Sequence, residues 1–150
     1  MLDLTAEDKY YYWLMISIGL DKELVGYISD CVESKEEVSD LILELYNESQ
    51  NRNALKRVLY LSDIKSAAIN KMSVKARIDY YFYKHLLNKT FTPSQIGEYL
   101  EKIYELETDW SDYEWINENY SLARSGVFSL EDADNRLRKY LKDNASCNLE

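Results

Sequence analysis

Five times along this chain a Ser or Thr is followed three residues later by an acid or an amide, and a three-and-four spacing of apolar residues comes after it. The pairs are Thr5 with Asp8, Ser34 with Glu37, Thr92 with Gln95, Ser111 with Glu114, and Ser129 with Asp132. In such a pair the hydroxyl accepts from an orphan amide of a helix's first turn, and the later side chain reaches back to the cap. Thr92 is followed by Pro93, which at the first helical position lacks only a donor that the helix could not use. Each signature is weak alone, but their recurrence constrains the chain to helices. Four glycines and one proline in 150 residues leave little turn material for a many-stranded fold.

The apolar stripes agree. Tyr11, Leu14, Met15 and Ile18 form the first, with Gly19 as a stop; Leu24, Val25, Ile28, Cys31 and Val32 form the second, with Asp21 as cap. Val38, Leu41, Ile42 and Leu45 make a third, and Leu55, Val58 and Leu59 a fourth. The segment from Asp63 to Met72 fits either a continuation of that helix or a new one. Ser73 introduces Ile78, Tyr81, Phe82, His85 and Leu86, and Pro93 opens a helix containing Ile96, Tyr99, Leu100 and Ile103. A short helix is expected from about Asp112 to Asn119, and a last one after Ser129 with Leu130, Ala133, Leu137, Tyr140 and Leu141. No two-residue alternation is long enough for a strand. The expected fold is all-α, an orthogonal bundle or short array of seven to eight antiparallel helices with no significant sheet. Residues 1–143 read as a single helical domain and 144–150 as a disordered tail, its last two residues as a tag scar.

Hydrophobic residues at 46% and charged residues at 30% suit a globular chain rather than a disordered one. The run Tyr10–Ile18 follows acids, not a basic segment, and is shorter than the roughly 20 apolar residues of a membrane span, so neither signal peptide nor membrane association is expected. Cys31 lies on a helical stripe as a buried free thiol, and Cys147 falls in the polar tail. With no disulfide framework the expected location is the reducing cytoplasm. Oligomeric state is left open.

Charge is distributed in blocks. Residues 1–50 carry three Lys/Arg against twelve Asp/Glu, residues 51–92 nine against two, and residues 93–120 one against eight. Either the acidic and basic helices are neighbours exchanging weak surface ion pairs, or an acidic face is left over for a basic partner. Aromatic usage favours the second reading. The chain has fourteen tyrosines, and Glu105–Tyr120 interleaves Trp110, Tyr113, Trp115 and Tyr120 with Glu105, Glu107, Asp109, Asp112, Glu114 and Glu118, uninterrupted by Lys or Arg. Tyr and Trp give large contact areas with few rotatable bonds, and carboxylates beside them suit cationic partner residues. The candidate partner-binding residues are therefore Asp109, Trp110, Asp112, Tyr113, Glu114, Trp115 and Glu118. The opposing reading makes these rings the rim of the bundle.

Conventional catalytic chemistry finds few candidates. The one histidine, His85, sits on the stripe with Ile78, Tyr81 and Phe82 and reads as a packed, hydrogen-bonded residue. A His/Cys metal site would need more ligands than the chain has, no loop has calcium-binding spacing, and the glycines are isolated, with no phosphate loop. No catalytic, cofactor-binding or metal-binding residue is assigned, and no enzyme is expected. Arg52, Lys56, Arg57, Lys65, Lys71, Lys75, Arg77, Lys84 and Lys89, with Tyr80 and Tyr83 among them, form a basic 52–89 segment that could serve a nucleic-acid-associated or regulatory protein. The net charge of −9 opposes that alternative.

In its acidic, aromatic Glu105–Tyr120 stretch and acidic first third, the chain resembles the small helical immunity proteins that bacteria keep beside their own toxins. The resemblance implies a non-catalytic protein that engages a basic, nuclease-like partner. It lies in composition and surface chemistry, so no family residue is carried over.

Overall fold

The computed structural model describes residues 1–62, 64 and 68–145; Lys65 of the basic segment, Cys147 and the rest of the tail from 146 lie outside them. Among the described residues there are eight helices and no strand: α1 (Ala6–Ser17), α2 (Lys22–Glu33), α3 (Asp40–Asn47), α4 (Arg52–Leu61), α5 (Lys71–Leu87), α6 (Pro93–Leu106), α7 (Ser111–Arg124) and α8 (Leu130–Ala145). The chain divides into two compact units, Met1–Val74 and Lys75–Glu150, with the boundary inside α5. The helix α8 passes the end of the expected 1–143 domain by two residues, because Ala145 continues the buried stripe of Leu137 and Leu141.

In the first unit α1 packs on α4, and α3 on both α2 and α4. Thr5 accepts from the Asp8 amide at 3.1 Å while the Asp8 carboxylate accepts from the Thr5 amide at 3.0 Å, closing the capping box. Gly19, at φ 91°, ends α1 in a conformation that side chains resist. The core holds Tyr11, Leu14, Met15, Leu24, Ile28, Ile42, Leu45, Leu55 and Leu59, and Cys31 is a buried free thiol. Ser34 caps no helix start: it closes α2, donating to the Cys31 carbonyl at 2.7 Å. The caps that act here are Ser39, accepting from the Ile42 amide at 3.2 Å, and Asn51, accepting from Ala54 at 3.1 Å. Val38 stands outside α3 because it forms an isolated parallel bridge with Leu2.

In the second unit α6, α7 and α8 pack on one another. Thr92 and Gln95 make the other complete capping box, at 3.2 and 2.9 Å, and Ser129 caps α8 through the Asp132 amide at 3.1 Å. Gly97 lets α6 and α7 approach closely: a Cβ there would lie 2.8 and 2.9 Å from ring carbons of Tyr120. His85 is half-buried, its ring 4.4 Å from Tyr81 and 5.3 Å from Phe91.

Candidate interaction surface

The α7 helix decides the fate of the acidic–aromatic stretch. It begins after Trp110, whose residue takes the cap position, and it runs to Arg124, five residues beyond the end expected. Over that length Tyr113, Ile116 and Tyr120 recur at three and four residues, so they share the face turned inward. Trp110 is 4% exposed and Tyr113 fully buried, the two rings meeting edge to face at 5.8 Å. These two rings, expected as exposed anchors, are core. Interleaving with acids along the sequence concealed a helical period that sorts rings from carboxylates in space. Trp115, two positions from Tyr113, points the other way and is 46% exposed.

Beneath this stretch lies a polar cluster that the sequence reading missed. The Lys75 side chain, 7% exposed, sits near Asp79, 3% exposed, at 3.4 Å one helical turn along α5. The ammonium also donates to Tyr140 Oη at 2.6 Å and contacts Asp112 Oδ2 at 3.1 Å. Its three protons thus have three acceptors. Asp79 in turn accepts from Tyr113 Oη at 2.7 Å and from Tyr140 Oη at 3.0 Å, and the ammonium lies 5.2 Å from each of those ring centroids. Burial pushes the Asp79 carboxyl above its ordinary value, against the opposing pull of Lys75 and the two phenols. Burial, reinforced by the charge of Asp79, raises the Tyr113 and Tyr140 phenols as well. The cluster joins α5, α7 and α8 through satisfied polar groups, a structural use of charge. A Lys and an Asp four residues apart on the stripe of Val74, Ile78 and Phe82 were the signal for it.

Five of the seven candidate residues remain outside: Asp109, Asp112, Glu114, Trp115 and Glu118 are all exposed. Asp112 is partly engaged by Lys75, its side chain still 56% exposed. Glu114 accepts from Tyr104 Oη of α6 at 3.0 Å, and that hydrogen bond raises the Tyr104 phenol. Trp115, Glu118 and Leu122 follow one another at three and four residues on the outer side of α7, with Leu122 also exposed. Exposed Glu98 and Glu105 lie on the adjacent α6, with Lys102 among them. The outer side of α7 thus carries one exposed indole with exposed Glu114 and Glu118 near it in sequence.

Comparison with known protein families, characterised proteins and solved structures finds no match. The surface must be read from its own chemistry.

The basic segment fares differently from its appearance in the sequence. Lys75 is inside, Arg52 lies 3.6 Å from Asp21, and Lys56 sits over the Trp13 ring at 5.6 Å. These three are engaged locally rather than standing as a uniform stripe. Among the described residues no group of three or more His, Cys, Asp or Glu could hold a metal ion, and no helix is long and apolar enough to cross a membrane.

Proposed function

We propose that this chain is a non-catalytic binding protein that engages a basic protein partner through the carboxylate-rich outer face of α6 and α7, in the manner of a toxin-neutralising immunity protein. The observation that carries this reading is Trp115. It is a 46% exposed indole one helical turn from Glu118 and beside Glu114. Indole anchors ringed by charge are what protein interfaces concentrate. Trp110 and Tyr113 support the surface from within, fixing the helix that displays it. The carboxylates steer a cationic partner and set its orientation; the ring supplies desolvated contact area.

The kinetic signature tests the reading. Stopped-flow association with a basic protein partner should slow as salt rises, since screening shortens the reach of the carboxylates. Glu118→Lys should slow association further and change dissociation little. An association rate indifferent to both salt and Glu118→Lys would remove the basis of the proposal.

A further inference from the structure

The outer side of α7 does not end with its carboxylates. From Ser121 to Leu130 the only charged residue is Arg124, and Leu122, Val127 and Leu130 are all exposed. The acids Asp112, Glu114 and Glu118 lie ahead of them in the helix. The surface is therefore graded along its length, acidic at the start and apolar at the end.

Local geometry gathers the apolar part. At about 100° per residue, Trp115 and Leu122 fall within about 20° of each other around α7, two turns and roughly 10 Å apart along the axis. Glu118 lies between them. The helix then closes in a Schellman turn: the Val127 amide donates to the Leu122 carbonyl at 2.9 Å, and the Gly126 amide to the Ala123 carbonyl at 3.1 Å. Gly126, at φ 82°, supplies the left-handed residue that this turn requires. Val127 is thereby set beside Leu122 on adjoining backbone, the pair of positions whose side chains such a turn ordinarily packs together. Here they remain 66% and 41% exposed. The apolar end of the stripe is assembled and left uncovered.

We propose that α7 and the turn after it seat a basic amphipathic helix of the partner protein. Its apolar residues lie over Trp115, Leu122 and Val127, and its lysines or arginines over Glu114 and Glu118. This rests on the reading of the α7 surface given above and adds the form of the partner. The two turns between Trp115 and Leu122 match the seven-residue recurrence on one face of a helix lying alongside. Strand addition has no edge to use, because among the described residues there is no strand. The charge gradient orders the partner's groups, cations over the first turns of α7 and apolar residues over its last turn. Carboxylates on the same side oppose an anionic membrane surface.

The probe is an amidated peptide of about 18 residues, long enough to hold a helix, with leucines on one face and lysines on the other. The same pattern with glutamates for lysines is its control. Titrated into the isotope-labelled full chain, the lysine peptide should shift the Trp115 indole and the Leu122 and Val127 amides in nuclear magnetic resonance spectra and leave the Trp13 indole in place. The glutamate peptide should not bind. Leu122→Ser and Val127→Ser, both at exposed positions, should fold as the parent does by circular dichroism. Each should weaken the lysine peptide about fivefold, the scale of one half-buried aliphatic side chain, with salt dependence unchanged. Glu118→Lys should weaken it and flatten the salt dependence. If Glu118→Lys weakens binding while both apolar variants bind as the parent does, the inference is overturned and the acidic reading stands. If neither salt nor Glu118→Lys matters, both fall. The inference is also overturned if no saturable shift appears, or if the shifts fall on α3, where exposed Leu43 and Tyr46 lie among Asp40 and Glu44. Self-association of the parent chain, or its adsorption to anionic vesicles, that Val127→Ser abolishes would assign the stripe to another occupant and overturn it too.

Discussion

Replacing Lys75 with Met should destabilise the second unit by about 3–5 kcal/mol at neutral pH, the cost of stranding one member of a buried charge pair. The geometry supports the upper half of that range. The partner left behind, Asp79, is 3% exposed and keeps only the two phenol donors at 2.7 and 3.0 Å. Asp112, at 56% exposure, returns to water and contributes little to the loss. The cost should depend on pH in a definite direction. Asp79 already titrates above its ordinary value of 3.8 because it is buried. Its contribution to stability is therefore fully present below that value and is lost as pH rises through the folded-state value. Removing Lys75, the strongest influence pulling the other way, raises the folded-state value further. The gap between parent and variant should then be small near pH 4 and widen toward neutrality. Urea melts across that range would measure it, in a Trp13→Phe, Trp115→Phe background so that Trp110, packed 5.8 Å from Tyr113, is the sole reporter. A loss below about 1 kcal/mol at neutral pH, or one that is flat with pH, would show that water screens the pair and that the cluster is not what joins the three helices.

Gly97→Ala should cost about 1–3 kcal/mol, since its Cβ would press on the Tyr120 ring at 2.8 Å; Tyr120→Leu in the same chain should recover part of the loss in thermal melts. The phenols of Tyr113, Tyr120 and Tyr140 are all raised, chiefly by burial, so their contribution holds up to about pH 10 and is lost above it. Absorbance of ionised tyrosine during an alkaline titration should accordingly show these three phenols staying unionised until the protein unfolds. His85→Asn removes ring contacts with Tyr81 and Phe91, so it should lower the melting temperature and leave partner affinity intact; a stable variant that no longer binds would make His85 a site residue.

What the sequence could reveal followed the range of the interactions involved. Thr5 with Asp8 and Thr92 with Gln95 are legible because a capping box is closed within four residues. Ser34 has the same pattern yet ends a helix, because a serine hydroxyl can also donate back to a carbonyl three residues earlier, as it does to Cys31. Ser111 matches as well, but its helix begins from the Trp110 cap position with no side-chain cap bond. Trp110 and Tyr113 were misplaced for a different reason. Their acidic neighbours suggested a surface, whereas the inward face is set by the longer recurrence of Tyr113, Ile116 and Tyr120. Lys75 and Asp79 were hidden by their type: two charges on an apolar stripe make sense only once Tyr113 and Tyr140, distant in sequence, arrive to satisfy them. Trp115, Glu114 and Glu118 lie on the exterior.

The most direct test of the central claim is the affinity of Trp115→Ala for a basic protein partner, measured by titration calorimetry against the parent. If the carboxylate face of α6 and α7 is the binding surface and Trp115 its anchor, truncation should cost about 2 kcal/mol or more, roughly thirtyfold in Kd, with the fold unchanged. A folded Trp115→Ala variant that binds as tightly as the parent would contradict the account, as would a parent chain that binds no basic partner at all.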